Sequence, residues 1–297
     1  MIHTIDLKFM GKAKSIAAFL LVSQGELALI ETGPHSCFTT LKEGVEALGY
    51  QVADIKHVFL SHIHLDHAGA AWAFAAMGAK IYVHPFGAPH LEDPSVLLAS
   101  AKRIYQDQMD TLWGKIEPIA ATQIVIAEHG EIFDFGGTEV TAWHTPGHAV
   151  HHIAYQVGQS LFAGDVAGVK IEGGPVVPPC PPPDINIEDW ENSINLILQL
   201  DIHSVYLTHF GKIDNIEAHF SELKDVLWDW ANWMKPYFER QLDPYKVTSF
   251  FQQYVAEQLS TKGVTTENLA IYENANPSWM SVAGLMRYWK KKMNPRR

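Results

Sequence analysis

The chain has 297 residues, 47% of them hydrophobic, enough for one large core or for a catalytic domain with a smaller appendage. Thirty-three acidic residues against 22 basic ones give a formal charge of −11, a field that repels phosphate backbones and makes nucleic acid a poor partner. Apolar runs such as residues 17–22 fall far short of the roughly 20 residues a membrane span needs, and no secretory leader is recognisable, so a cytoplasmic protein is expected.

Residues 16–22 and 26–30 are apolar runs separated by Ser23, Gln24 and Gly25, the pattern of a β-hairpin. Residues 39–48 carry Leu41, Val45 and Leu48 at helical spacing, with Gly49 as the stop. Residues 57–60 read as a buried strand, 68–77 as an Ala-rich helix ended by Gly78, and 80–83 as the next strand. One helix is predicted over 94–113, then a second set of strands at 123–126, 139–143, 153–157 and 161–163. Residues 173–183 contain six prolines and can be neither helix nor central strand; they form a stiff connection or a preorganised wall beside a cleft. A helix over 189–200 and a strand over 204–207 follow.

Beyond residue 213 the pattern is helical and aromatic. Residues 217–240, 244–259 and 278–292 read as helices, and the stripe containing Trp228, Trp230 and Trp233 fits a core or an oligomer interface. The chain thus divides into a catalytic part, residues 1–213, and a helical part, residues 214–297. The second is expected to pack on the first and to shape the cleft entrance, with a homodimer through these helices left open. The basic cluster Lys290, Lys291, Lys292, Arg296 and Arg297 reads as a solvated tail. Cys37 and Cys180 are too few for a disulfide framework or a Cys-based zinc site.

Sixteen histidines is a high count for this length, and their placement carries the argument. His62, His64, Asp66 and His67 lie within six residues, between an apolar strand and a helix start. Imidazoles suit zinc, iron and similar ions, and a carboxylate adds charge that stabilises a dication. Four donors this close are too many for one catalytic ion that keeps an open position, so they are best read as shares in two adjacent sites. His148, Asp165 and His209 each follow a short apolar run, which brings three further donors to the same edge of the sheets.

With these residues in view, the sequence resembles the metallo-β-lactamase superfamily over about residues 16–213. The resemblance implies an α+β fold, an αββα sandwich of two mixed sheets with helices outside. It implies one metal site at His62, His64 and His148, a second at Asp66, His67 and His209, and Asp165 bridging both. Two divalent ions are expected, zinc first, with iron or manganese as alternatives. A hydroxide between the ions would attack a small ester, thioester or lactone, and Asp66 has a second role in orienting the nucleophile or shuttling a proton. The intact donor set is similar to that of glyoxalase II-like thioesterases and lactonases. The alternatives are a mononuclear iron enzyme of the persulfide dioxygenase type, using only His62, His148 and Asp165, and a phosphodiesterase or nuclease. Glu31 departs from the family, which commonly has Asp before Thr-Gly; a supporting residue is expected there. His152 faces substrate or supports a ligand, and His84 is a candidate for the cleft wall. His57, His129, His144 and His203 are assigned no chemistry.

Overall fold

The computed structural model describes residues 1–294, whose strands form two six-stranded sheets. The first runs in the order β1 (Ile2–Asp6), β2 (Ala17–Ser23), β3 (Glu26–Ile30), β4 (Ile55–Phe59), β5 (Lys80–Val83), β6 (Ile124–Ile126). The β1–β2 and β2–β3 pairs are antiparallel, and the remaining pairs to β6 are parallel. The second contains β7 (Ile132–Phe135), β8 (Thr138–His144), β9 (Ile153–Val157), β10 (Ser160–Phe162), β11 (Ser204–Leu207) and β12 (Gly211–Ile213), with only β10 and β11 parallel.

Parallel neighbours need crossovers, and helices supply them on the outer faces. In the first sheet these are α1 (Phe38–Ala47), then α2 (Leu65–Ala68) with α3 (Ala71–Ala76), then α4 (Ala88–Glu92), α5 (Ser95–Tyr105) and α6 (Met109–Leu112). In the second sheet α7 (Ile187–Ile197) joins β10 to β11. Side chains alternate between the faces of a strand. Ala17, Phe19 and Leu21 of β2 therefore meet Tyr155 and Phe162 between the sheets, while Ala18 and Leu20 pack under the helices with Leu41 and Phe74. Both faces are covered, which is why these strands read as unbroken apolar runs. The result is the expected αββα sandwich.

The chain after Ile213 forms α8 (Ile216–Glu239), α9 (Pro244–Thr261), α10 (Thr266–Ala275) and α11 (Ser278–Met293). Side chains of Asn215, Asp243 and Thr265 accept from backbone N–H groups in the first turns of α8, α9 and α10, satisfying donors a helix start leaves unpaired. Of the aromatic stripe, Trp230 is buried with Phe220, Leu223 and Leu227 in one cluster with Leu161 and Leu207 of the second sheet, and Trp228 and Trp233 are partly buried against it.

Several expectations are corrected. The strand at 123–126 pairs with β5 and closes the first sheet, not the second. The helix expected over 68–77 is interrupted after Ala68, where the Ala70 N–H turns to the Gly33 carbonyl (3.0 Å) instead of continuing the helical ladder. The helix over 94–113 breaks at Gln106, whose φ of 48° lies in the left-handed region. Lys290, Lys291 and Lys292 are not a free tail but the last turns of α11; Lys291 Nζ donates to the Pro183 carbonyl (2.8 Å) and Lys292 pairs with Glu188. Arg296 and Arg297 of that cluster lie outside the described residues. No helix among the described residues is long and apolar enough to cross a membrane.

Candidate metal centre

All seven donors gather at one edge of the sandwich. After β4 the chain passes through a bend at Ser61 to His64, which precedes α2, so that Asp66 and His67 occupy the first turn of that helix. His148 follows β8 through Gly147, whose φ of 136° is one that L side chains rarely adopt; a Cβ there would also lie 2.3 Å from the Trp190 Cα. Asp165 sits in the 3-10 turn after β10, and His209 follows β11. Three groups of donor atoms converge within 4.8 Å: His62, His64 and His148; Asp66, His67 and His209; and His62, His67 and Asp165.

The surroundings fix which way each ring presents its lone pair. His148 Nδ1 donates to the Pro179 carbonyl (2.9 Å) and His209 Nδ1 to the Ser15 carbonyl (2.8 Å). His67 Nδ1 donates to Glu31 Oε1 (3.0 Å). With those protons committed outward, each Nε2 lone pair faces inward onto a carboxylate. His67 Nε2 is 3.2 Å and His209 Nε2 3.4 Å from Asp165 Oδ1, and His148 Nε2 is 3.3 Å from Asp165 Oδ2. Asp66 Oδ2 lies 3.4 Å from His209 Nε2 and 3.6 Å from His67 Nε2. Lone pairs at such distances need positive charge between them, a proton or a cation. His67 Nε2, His209 Nε2 and Asp165 Oδ1 are buried without a hydrogen-bond partner, as expected of atoms reserved for a metal. On the other side, His64 Nδ1 stands 2.8 Å from His62 Nε2 and 3.0 Å from His148 Nε2. One imidazole nitrogen has a single in-plane valence and cannot satisfy both. The donor set fits cations at both places.

Proton affinities divide along the same line. Burial, with neighbouring imidazoles, lowers the pKa of His62 well below the ordinary value and that of His64 to about 3. Burial also opposes charge on His67, yet Asp165, Asp66 and Glu31 raise its pKa well above the usual one. Burial likewise works against ionisation of Asp66, but His67 and His209 pull its pKa down to about 2. Proton affinity is thus low in the all-histidine group and high at His67, where a cation can take the place of the proton.

Outer residues complete the arrangement. Glu31 has no exposed surface; its Oε2 accepts from the Ser61 N–H (3.3 Å) and its Oε1 from the Thr208 hydroxyl (3.4 Å) as well as from His67. The departure from Asp therefore still reaches a partner. His152 contacts the turn at Asp165. It has no exposed surface, its Nε2 accepts from the Asp165 N–H (3.1 Å), and its Nδ1 accordingly donates to the Thr145 hydroxyl (2.8 Å). It holds the turn that presents Asp165. Residues 175–181 of the proline-rich segment are buried and supply the carbonyl that orients His148. His84 is 6% exposed and lies tilted against His144, with 4.2 Å between ring centroids and its Nδ1 accepting from the Phe86 N–H. The carbonyls of Ser15 and Pro179 were invisible to sequence reasoning, because a backbone acceptor carries no residue signature.

An αββα sandwich with histidine and carboxylate groups able to bind metal at its strand ends defines a class of metalloprotein. The model of the metallo-beta-lactamase superfamily matches residues 11–209, and the chain belongs to that superfamily. It is 28% identical over 175 residues to a metallo-beta-lactamase fold-containing protein of Sulfurisphaera tokodaii, covering 57% of this chain and 66% of that one, just under two thirds. An atrochrysone carboxyl ACP thioesterase of Aspergillus fumigatus is 27% identical over 55% of this chain and 41% of its own length. Among solved structures, a metallo-beta-lactamase family protein of Thermus thermophilus superposes with a TM-score of 0.72, covering 98% of this chain and 94% of that one at 18% identity. At that identity the likeness speaks for the fold alone.

Proposed function

We propose that the chain is a binuclear metal-dependent hydrolase acting on a small ester, thioester or lactone. The observation that carries this reading is the inward convergence of unpartnered donors, His67 Nε2, His209 Nε2 and Asp165 Oδ1. In this reading His62, His64 and His148 would hold one divalent cation and Asp66, His67 and His209 another, with Asp165 contributing to both. Zinc is the first expectation, with iron and manganese as alternatives. Bound there, the cations supply Lewis acidity and make water acidic enough to ionise near pH 7. The chain does the rest. Pro179, Ser15 and Glu31 keep His148, His209 and His67, respectively, in the tautomer that offers Nε2. Asp66 is the more open of the two carboxylates, with 24% of its side chain exposed against 5% for Asp165. It stays ionised, so the Oδ1 that its histidine contacts leave free can orient attacking water and accept its proton. The named thioesterase among the relatives supports the substrate class.

Metal analysis of the purified chain, with a panel of esters, thioesters, lactones and phosphodiesters, tests the reading. Two divalent ions per chain and turnover of a carboxylic ester, thioester or lactone are expected. Asp165→Asn keeps the size but removes the linking charge, and should cost one ion or at least about tenfold in turnover. A single iron with oxygen uptake, or a fully loaded chain inert on the whole panel, overturns it.

A further inference from the structure

A cavity of about 350 Å³ lies among α8, α9, α10 and α11 and shares no residue with the histidine cluster. It opens partly to solvent, and its volume is more than ten times the roughly 30 Å³ a water molecule occupies in the liquid. Its two ends differ. Trp230, Phe251, Val255, Leu259 and Leu269 make a mainly apolar body, with Gln252 beside them on α9, and Glu273, Asn276, Ser278 and Ser281 make a polar end where α10 meets α11.

The polar end is built and has capacity left. Glu273 Oε1 accepts from the Ser278 N–H (3.0 Å) and Oε2 from the Ser278 hydroxyl (2.6 Å), leaving each oxygen a second lone pair. Asn276 Oδ1 accepts from Ser281 Oγ (3.0 Å), and its Nδ2 donates to the Pro178 carbonyl (3.1 Å), which uses one of two protons. No lysine, arginine or histidine lines the cavity among the described residues. Glu273 is its one acidic group, and burial raises the pKa of that carboxyl. Charge there is costly unless a donor or a cation meets it. A carboxylate ligand would bring a second acceptor and a second negative charge to the same end.

We propose that this cavity is a second small-molecule site, taking a ligand with an apolar body and one hydrogen-bond-donating neutral or cationic head, an alcohol or an amine. At this volume it sits near the lower end of the roughly 300–1,000 Å³ range of ligand pockets, too small for a peptide helix. The proposal does not rest on the proposed reaction.

Calorimetry and tryptophan fluorescence on the full chain with 1-octanol, octylamine and octanoate, which share one tail, test it. Saturable one-to-one binding of octanol and octylamine is expected, with octanoate at least about tenfold weaker. Ala256→Trp and Ala270→Trp each place bulk in the cavity from a helix position with solvent at hand. Each should abolish binding while leaving the melting transition in place. Glu273→Gln should weaken octylamine relative to octanol. Absence of saturable binding, equal binding of octanoate, or unchanged binding in both filled variants overturns the proposal.

Discussion

Replacing Glu31 by Gln keeps the shape of the side chain and removes its charge, in a place where neither partner has room to adjust. Glu31 and His67 have at most 1% of their side chains exposed, and their contact is 3.0 Å. Glu31 also accepts from the Ser61 N–H and the Thr208 hydroxyl. An amide has one acceptor oxygen. If that oxygen faces His67, the amide nitrogen opposes the Ser61 N–H, donor against donor; if flipped, it opposes the His67 N–H instead. One buried hydrogen bond is lost either way, together with the charge that strengthened the other. A charge-assisted hydrogen bond contributes about 1.5–3 kcal/mol, so a loss near 2 kcal/mol corresponds to a factor of about thirty. The loss should fall on the cation held by Asp66, His67 and His209, because His67 is the ring released. Competition with a chromogenic chelator resolves the two affinities. The weaker site should drop about thirtyfold, while the His62, His64 and His148 site moves less than about threefold. Equal weakening of both sites, or no change in either, would refute the claim that Glu31 acts through the tautomer of His67.

Two further outcomes follow from backbone and burial. Gly147→Ala should destabilise the chain by at least about 2 kcal/mol in denaturant melts, since its Cβ would lie 2.3 Å from the Trp190 backbone at an unfavourable φ; a change within about 0.5 kcal/mol refutes this. His219, 4% exposed, donates from Nε2 to the Ala167 carbonyl (2.8 Å), and burial lowers its pKa to about 4. Since the unfolded value is about 6.5, the unfolded chain takes up the proton first as pH falls. The stability this residue contributes is present above pH 6.5 and lost by about pH 4, up to roughly 3 kcal/mol. His219→Gln should flatten that part of the pH–stability curve, and an unchanged slope counts against it.

The donor cluster was legible because each donor follows a strand whose apolar run ends abruptly. The runs at 57–60, 139–143, 161–163 and 204–207 all overlap strands of the structure, and four such endings place side chains along one edge whatever the detailed packing. Strand partnership was not legible in the same way. Residues 123–126 are apolar and short, and nothing in Ile124, Val125 and Ile126 states that β5 rather than β7 lies beside them. β1 escaped notice because His3 and Thr4 interrupt its apolar side chains, as an edge strand with one neighbour allows. α10 has only Tyr272 fully buried, so its sequence lacks the stripe that announced α8.

His152 and Pro179 show where residue-level reading ends and backbone geometry begins. The two histidines His148 and His152 are four residues apart, buried alike and chemically the same, yet one presents Nε2 to the donor cluster and the other to a backbone N–H. What separates them is the partner of the other nitrogen. Pro179 offers a carbonyl to His148, and Thr145 a hydroxyl to His152. The carbonyl of Pro179 is available because a proline-rich segment has no N–H groups at most of its positions and cannot spend its acceptors on regular secondary structure. The stiffness that the six prolines announced is therefore the means by which this segment orients His148. Asn276 and Tyr272 hold the same segment from α10 and its C-terminal end, donating to the Pro178 and Pro175 carbonyls at 3.1 Å and 2.6 Å. The helical part of the chain thus reaches the donor cluster through two backbone carbonyls, a connection that no pattern of side chains could have shown.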